Sequence, residues 1–231
     1  MYKVNPDIGE PDRTLKIWHY YTLPKFLSFL HTGSLYLCRH DKIGDGYEGQ
    51  LSTKDKAFLS KFTSGILQDV DSDKWGCSYS NCWTKSDVDE YVLWNSYSSL
   101  YDGVAIQSSI GNLIDSLDSS SLLDLYVSEV IYIDYDDDYT FRRSGGIANM
   151  IAPHFTKRKY FASEKEVRVM HYDPLAKFNE SPCGLFAKVN SDVLISSVYV
   201  SPFSQPWFKE IVVELLGFYG LGHKTVNKSR I

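Results

Sequence analysis

The opening of the chain passes from a short apolar run to helical spacing, and that order predicts its first elements. Residues 17–21 are aromatic and β-prone and read as a strand. Thr22 stands at a helix cap position and Pro24 falls in the first turn. Phe26, Leu27, Phe29 and Leu30 form the apolar stripe, and Gly33 supplies the stop. A second strand follows at residues 35–38, then a loop at 44–49 holding Asp45, Tyr47 and Glu48. Further strands are expected at residues 79–83, 104–107, 127–135, 164–172, 185–189 and 193–200. Helices are expected at 53–72, from the acids at 87–90 through Leu100, at 110–125 (or as a pair of turns), at 142–158 and at 206–216.

Strands outnumber well-formed helices, which indicates an α+β fold. A chain of 231 residues without a linker or internal repeat reads as a single domain spanning 1–231. Residues 1–14 are expected as a loose N-terminal arm and residues 221–231 as a basic tail with Lys224, Lys228 and Arg230.

Composition narrows the function. The aromatic share is high, with 17 Tyr, 12 Phe and 5 Trp; most read as core, and the rest can serve as flat walls for a bound ring. The net charge of −5 argues against general nucleic-acid binding by bulk charge. Local basic clusters remain, and Lys157, Arg158 and Lys159 are candidate nucleic-acid or phosphate contacts because they lie just before an acidic strand. Cys38, Cys77, Cys82 and Cys183 form no CxxC pair, so a structural zinc site is not expected. No apolar signal core or membrane-length run is visible, and a reducing cytoplasm is the expected compartment.

The candidate chemistry centres on Ser163-Glu164-Lys165-Glu166-Val167-Arg168. On a strand, Glu164, Glu166 and Arg168 would share one face while Val167 and Val169 point into the core. Like charges on one face are costly to bury unless they are paired. His19 and Tyr20, on the first strand, are the second candidate group. The acids at 134–138 invite a metal reading, but their spacing is not that of an EF-hand loop, and a solvated strand end is the better account. No metal is expected. Trp94 and Tyr97, at helical spacing, read first as core residues. His19 reads equally as a rim histidine, and Glu164 with Arg168 equally as a salt network.

The order of these motifs resembles a bacterial family catalogued as domain of unknown function 2971. Ile17-Trp18-His19-Tyr20, the helix ending at Gly33, and Leu35-Tyr36-Leu37 look like that family's opening. Gly44-Asp45-Gly46-Tyr47-Glu48-Gly49 is similar to its Asn-Asp-Pro-Phe-Glu loop, with Asn and Pro replaced. Cys82-Trp83-Thr84, Leu93-Trp94-Asn95-Ser96-Tyr97, Gly103-Val104-Ala105-Ile106 and Glu164-Lys165-Glu166-Val167-Arg168 match later motifs, over roughly residues 16–202.

A more distant resemblance, to ADP-ribosyltransferases of the His–Tyr–Glu type, implies a mostly antiparallel split sheet with flanking helices. It also implies NAD as substrate. His19 would bond the nicotinamide-side ribose, Tyr20 or Tyr97 would stack on the nicotinamide, and Trp94 would be among the cofactor-binding residues. Glu166 would stabilise the positive ribose, Glu164 would orient or deprotonate the acceptor, and Arg168 would clamp pyrophosphate or pair with a glutamate. The acceptor would be nucleic acid or protein, in the manner of a toxin or phage-defence effector. The chain departs from that layout in its middle motif, where Ser78-Tyr79-Ser80, Thr84 and Tyr97 compete, and in lacking a phosphate-binding arginine near His19.

Two other classes stay open. One is a metal-dependent nuclease or nucleotide hydrolase using Asp45, Glu48, the 134–138 acids and Lys157. The other is a non-catalytic nucleotide-binding sensor.

Overall fold

A computed structural model describes residues 1–43, 46–47, 49–62, 77–140 and 151–231. In chain order its elements are β1 (Lys16–Thr22), α1 (Leu23–Thr32), β2 (Ser34–Arg39), α2 (Thr53–Phe62), β3 (Cys77–Lys85), α3 (Tyr91–Tyr97), β4 (Gly103–Ser109) and α4 (Ile110–Ser116). They continue with β5 (Tyr126–Glu129), β6 (Ile131–Ile133), β7 (Thr156–Arg158), β8 (Glu166–Asp173), β9 (Gly184–Lys188), α5 (Ser191–Leu194), β10 (Ser197–Val200), α6 (Pro206–Phe218) and β11 (Val226–Lys228). The fold is α+β with mostly antiparallel strand pairing and flanking helices, as expected from the sequence.

The chain folds as two units, each drawn from three stretches. The first holds Met1–Pro11, Tyr36–Cys82 and Leu122–Leu185, and the second holds Asp12–Leu35, Trp83–Ser121 and Phe186–Ile231. Strand β3 passes from one to the other between Cys82 and Trp83.

In the first unit, β5 runs antiparallel to β8, from Tyr126 opposite Met170 to Glu129 opposite Val167. Strand β3 pairs with β8 and, antiparallel, with β2. Short parallel strands β6 and β7 lie apart as a two-stranded sheet. Ile8, Ile151, Ala152, Phe155 and Met170 form a core cluster with Tyr126 and Tyr172 against it. The first residues are therefore not a loose arm: Tyr2 bridges to Leu125, Lys3 N donates to Leu125 O at 2.8 Å, and Ile8 is buried.

In the second unit, β1 pairs antiparallel with β4 along its whole length, Lys16 opposite Ser109 and Thr22 opposite Gly103. Strand β10 continues antiparallel on β4, and β11 runs parallel to β10. The expected basic tail is thus ordered: Val226 to Lys228 form β11, and Lys228 Nζ donates to Ser204 O at 2.8 Å. Helix α1 begins after Thr22, carries Pro24 in its first turn, buries Phe26, Phe29 and Leu30, and stops where Gly33 takes φ 55°.

Three sequence expectations shift. The region 127–135 is not one strand but β5 and β6, broken at Val130, whose amide donates to Glu166 O at 2.8 Å. The described part of the expected 142–158 helix is a 3₁₀ turn, Ala152–Phe155, followed by β7. Pro153 fits the opening of such a turn, and β-branched Thr156 favours the strand. Residues 193–200 split into α5, capped by the Asn190 side chain, and β10. Residues 44, 45, 48, 63–76 and 141–150, which include Asp45, Glu48 and Arg142, lie outside the described residues.

Candidate functional site

The acidic strand of the first unit starts two residues later than the sequence alone indicates. Residues Lys159–Glu164 form a 3₁₀ turn, Lys165 takes the left-handed conformation at φ 44°, and β8 begins at Glu166. Glu164 therefore does not share the strand face with Glu166. The two are joined instead by Lys157 of β7, whose Nζ donates to Glu164 Oε2 at 2.7 Å and to Glu166 Oε2 at 3.3 Å. Strand alternation then acts as expected: Val167 and Val169 are buried on one face, and Glu166 and Arg168 occupy the other.

Glu166 is only 5% exposed and Arg168 is fully enclosed. Arg168 Nε donates to Glu166 Oε1 at 2.6 Å, Nη2 to Oε2 at 3.2 Å, and Nη1 to the His154 carbonyl at 2.7 Å. Burial pushes the Glu166 carboxyl up. The charge and hydrogen bonds of Arg168, then Lys157 and the Cys82 thiol, outweigh it and bring the carboxyl down to about 2. Glu166 is accordingly a buried, ionised carboxylate. Its amide donates to the Tyr132 hydroxyl at 2.8 Å. Burial, followed by the charges of Glu166 and Glu164, pushes that phenol up to about 12 against the hydrogen bond.

Two histidines absent from the sequence expectations lie in this unit. His40 Nε2 is 2.6 Å from Ser80 Oγ, and the His40 and His154 rings are 5.3 Å apart. The Nδ1 atoms of both are buried without a hydrogen-bond partner. Burial, then neighbouring His154, Arg168 and Lys157, holds His40 well below the usual imidazole range. Burial and Arg168 bring His154 down to about 3. Ser80 and Cys82 alternate along β3 two residues apart, which was the available sequence signal; nothing local in the sequence marked His40 or His154.

The basic cluster is largely spent inside the unit. Lys157 is buried on the two glutamates, Lys159 pairs with Asp134, and the Arg158 guanidinium lies 4.5 Å from the Tyr47 ring centroid and 5.4 Å from that of Phe161. Of the two roles expected of Arg168, clamping pyrophosphate or pairing with a glutamate, the structure shows the second: it pairs with Glu166 and donates to a carbonyl. The acids at 134–138 close their own loop: Asp136 N donates to Asp134 Oδ1 at 3.1 Å and Asp134 N to Asp138 Oδ2 at 2.8 Å. Among the described residues no group of three His, Cys, Asp or Glu is placed to hold a metal ion.

In the second unit β1 sends neighbouring side chains to opposite faces. His19, half-buried, lies against Tyr21 with ring centroids 4.3 Å apart and against Trp83 at 5.1 Å. Tyr20 turns the other way, into a core cluster with Trp18, Leu93, Trp94 and Ala105. Its ring meets Trp94 edge-on at 5.1 Å, its hydroxyl accepts from Glu90 N at 2.9 Å, and Trp94 Nε1 donates to Asp89 at 2.9 Å. Tyr20 and Trp94 are therefore core residues separated from His19 by the strand itself, and Tyr97 is half exposed on α3. The aromatic partners of His19 are instead Tyr21, two residues on, and Trp83 of β3.

No family model matches the chain, and no curated protein matches it. The motif resemblance to the 2971 family thus rests on its residues alone. Among solved structures, the chain is similar to one described as Thermus sp. 2.9 DarT in complex with carba-NAD+. The identity is 12%, the match covers 96% of this chain and 97% of that chain, and the TM-score is 0.42.

Proposed function

We propose that the chain is an NAD-consuming enzyme of the ADP-ribosyltransferase type, breaking the nicotinamide–ribose bond and passing ADP-ribose to a nucleic-acid or protein acceptor. The observation that carries this reading is Glu166: an ionised carboxylate, 5% exposed, in surroundings where charge acts strongly. Cleavage of the bond between ribose C1′ and the nicotinamide nitrogen sends the electron pair out with nicotinamide and leaves positive charge on the ribose. A fixed carboxylate in such surroundings stabilises that charge without reorganising. The acceptor then attacks C1′ and gives up its proton. Glu164 suits that step, because its side chain is 20% exposed and tethered by the same Lys157. Arg168 is a positioning residue for Glu166.

The test is nicotinamide release from NAD by the purified chain, with nucleic acid and cell lysate as acceptors, beside Glu164→Gln. Nicotinamide release by the wild-type chain, with transfer of ADP-ribose to the acceptor lost in the folded Glu164→Gln variant, supports the reading. No release by the folded wild-type chain with any acceptor overturns it.

A further inference from the structure

Helix α6 is apolar over more of its surface than the core uses. It packs on β10 and β11, and its buried residues are Phe208, Val212 and Leu216. The residues just before these, Trp207, Ile211 and Leu215, form a series with Phe218 at steps of four, four and three. That spacing lays them along one side of the helix as a second apolar stripe. The stripe is uncovered: Trp207 is 57% exposed, Ile211 39% and Phe218 82%, and Leu215 is half-buried. Phe203, just ahead of the helix, is exposed as well, and its ring lies 6.0 Å from that of exposed Tyr101. All of these residues belong to the second unit. Single exposed apolar side chains are ordinary, but large ones aligned on one face mark an interaction surface.

We infer that this stripe is the contact surface of a homodimer, in which α6 packs antiparallel on α6 of a second copy across a two-fold axis. The stripe is its own complement. It carries an aromatic ring at each end and a branched aliphatic side chain at each inner position. Run antiparallel against itself, it sets Trp207 opposite Phe218 of the other copy and Ile211 opposite Leu215. The two pairings share one register to within a residue, as a two-fold axis demands. With Phe203 and Tyr101 the stripe offers roughly 600 Å² of apolar side chain, so two copies would bury roughly 1,200 Å², the lower end for stable interfaces. Exposed Glu210 and Glu214 border the stripe on one edge and stay in solvent at the rim, where physiological salt screens them over about 8 Å. The one cation of the helix, Lys209, falls off the stripe by helical spacing, so the stripe brings no positive charge to an anionic lipid surface. The inference is independent of the NAD reading.

Sedimentation equilibrium of the full chain is the test, and a monomer–dimer transition in the micromolar range is expected. Ile211→Glu puts a charge at the centre of the stripe and is expected to weaken dimerisation at least about tenfold. Phe218→Ser, at the most exposed position of the stripe, is expected to weaken it with the fold intact. Added salt should leave the dimer as strong or make it stronger, because only like charges meet at its rim. Orientation is read by cross-linking: Trp207→Cys and Phe218→Cys, each with Cys183→Ser, are mixed and oxidised. The antiparallel register predicts a disulfide between the two variants and little within either alone. A chain that stays monomeric throughout the micromolar range would overturn the inference, and would leave the stripe to a different partner. So would a dimer untouched by both substitutions, a dimer that salt dissolves, or a Trp207→Cys variant that cross-links to itself.

Discussion

His40 and His154 meet ring to ring at 5.3 Å, each presenting a buried Nδ1 that no group answers. Their folded state therefore depends on both rings being neutral. In the unfolded chain each binds a proton near the ordinary imidazole value of about 6.5, whereas in the folded chain both values are depressed. Stability from this source is complete above that value and drains as pH falls through it, down to about 3 for His154. Urea unfolding between pH 7.5 and 4.5 should show the loss, at up to about 1.4 kcal/mol per pH unit per histidine. His154→Phe removes one titrating ring and should flatten the slope. A slope unchanged by the substitution would mean that His154 does not hold the neutral form.

Gly49 lies over His154, with φ 76°. A methyl group placed on it would run into His154 Nδ1 and Cε1. Gly49→Ala should cost about 1–2 kcal/mol for the left-handed backbone, and more for displacing the imidazole. Chemical denaturation of the variant measures the sum; a neutral result would mean that this loop can move away from the histidine.

Breaking the Glu166–Arg168 pair should be expensive. Glu166→Gln leaves Arg168 enclosed without its counter-charge, and the expected loss is about 3–5 kcal/mol. The double variant Glu166→Leu/Arg168→Met should recover most of that loss, because well-packed apolar residues replace buried ion pairs at little net cost. Equilibrium unfolding of the single and double variants closes the cycle. Turnover by Glu166→Gln is accordingly interpretable only beside a folding control, and Glu164→Gln is the cleaner probe.

Tyr20→Phe and Trp94→Ala separate packing from ligand contact. The first leaves the Glu90 amide unmet and should cost about 1 kcal/mol. The second opens a cavity and should cost roughly 3–5 kcal/mol. Neither should alter NAD affinity per folded molecule, as measured by calorimetry at a temperature where both remain folded. Weaker binding by Tyr20→Phe would return that side to the ligand.

Local pattern made β1, α1 and β2 legible in the sequence, because Pro24, the Phe26–Leu30 stripe and Gly33 each act within a few residues. The Glu166–Arg168 face was legible for the same reason: strand alternation needs no knowledge of the partner strand. Alternation also separates His19 from Tyr20, and so the expectation that placed the two together failed by its own rule. What pattern does not reveal are partners distant in the chain. Lys157 reads as a surface cation until it is found between two carboxylates, and His40 and His154 are 114 positions apart in the chain. The break at Glu164 escaped because it depends on Lys165, a residue with little intrinsic preference for left-handed backbone.

That one residue has a mechanical consequence. Lys165 is the sole non-glycine with positive φ among the described residues, and its side chain is exposed. It places Glu164 and Glu166 on separately adjustable mounts. Lengthening or shortening the 3₁₀ turn would swing Glu164 and leave the register of β8 alone. A one-residue slip within β8 would turn Glu166 and Arg168 to the opposite face together. The spacing between the two carboxylates is thus a free dimension for redesign, with Lys157 as the gauge that reports when it has been overshot.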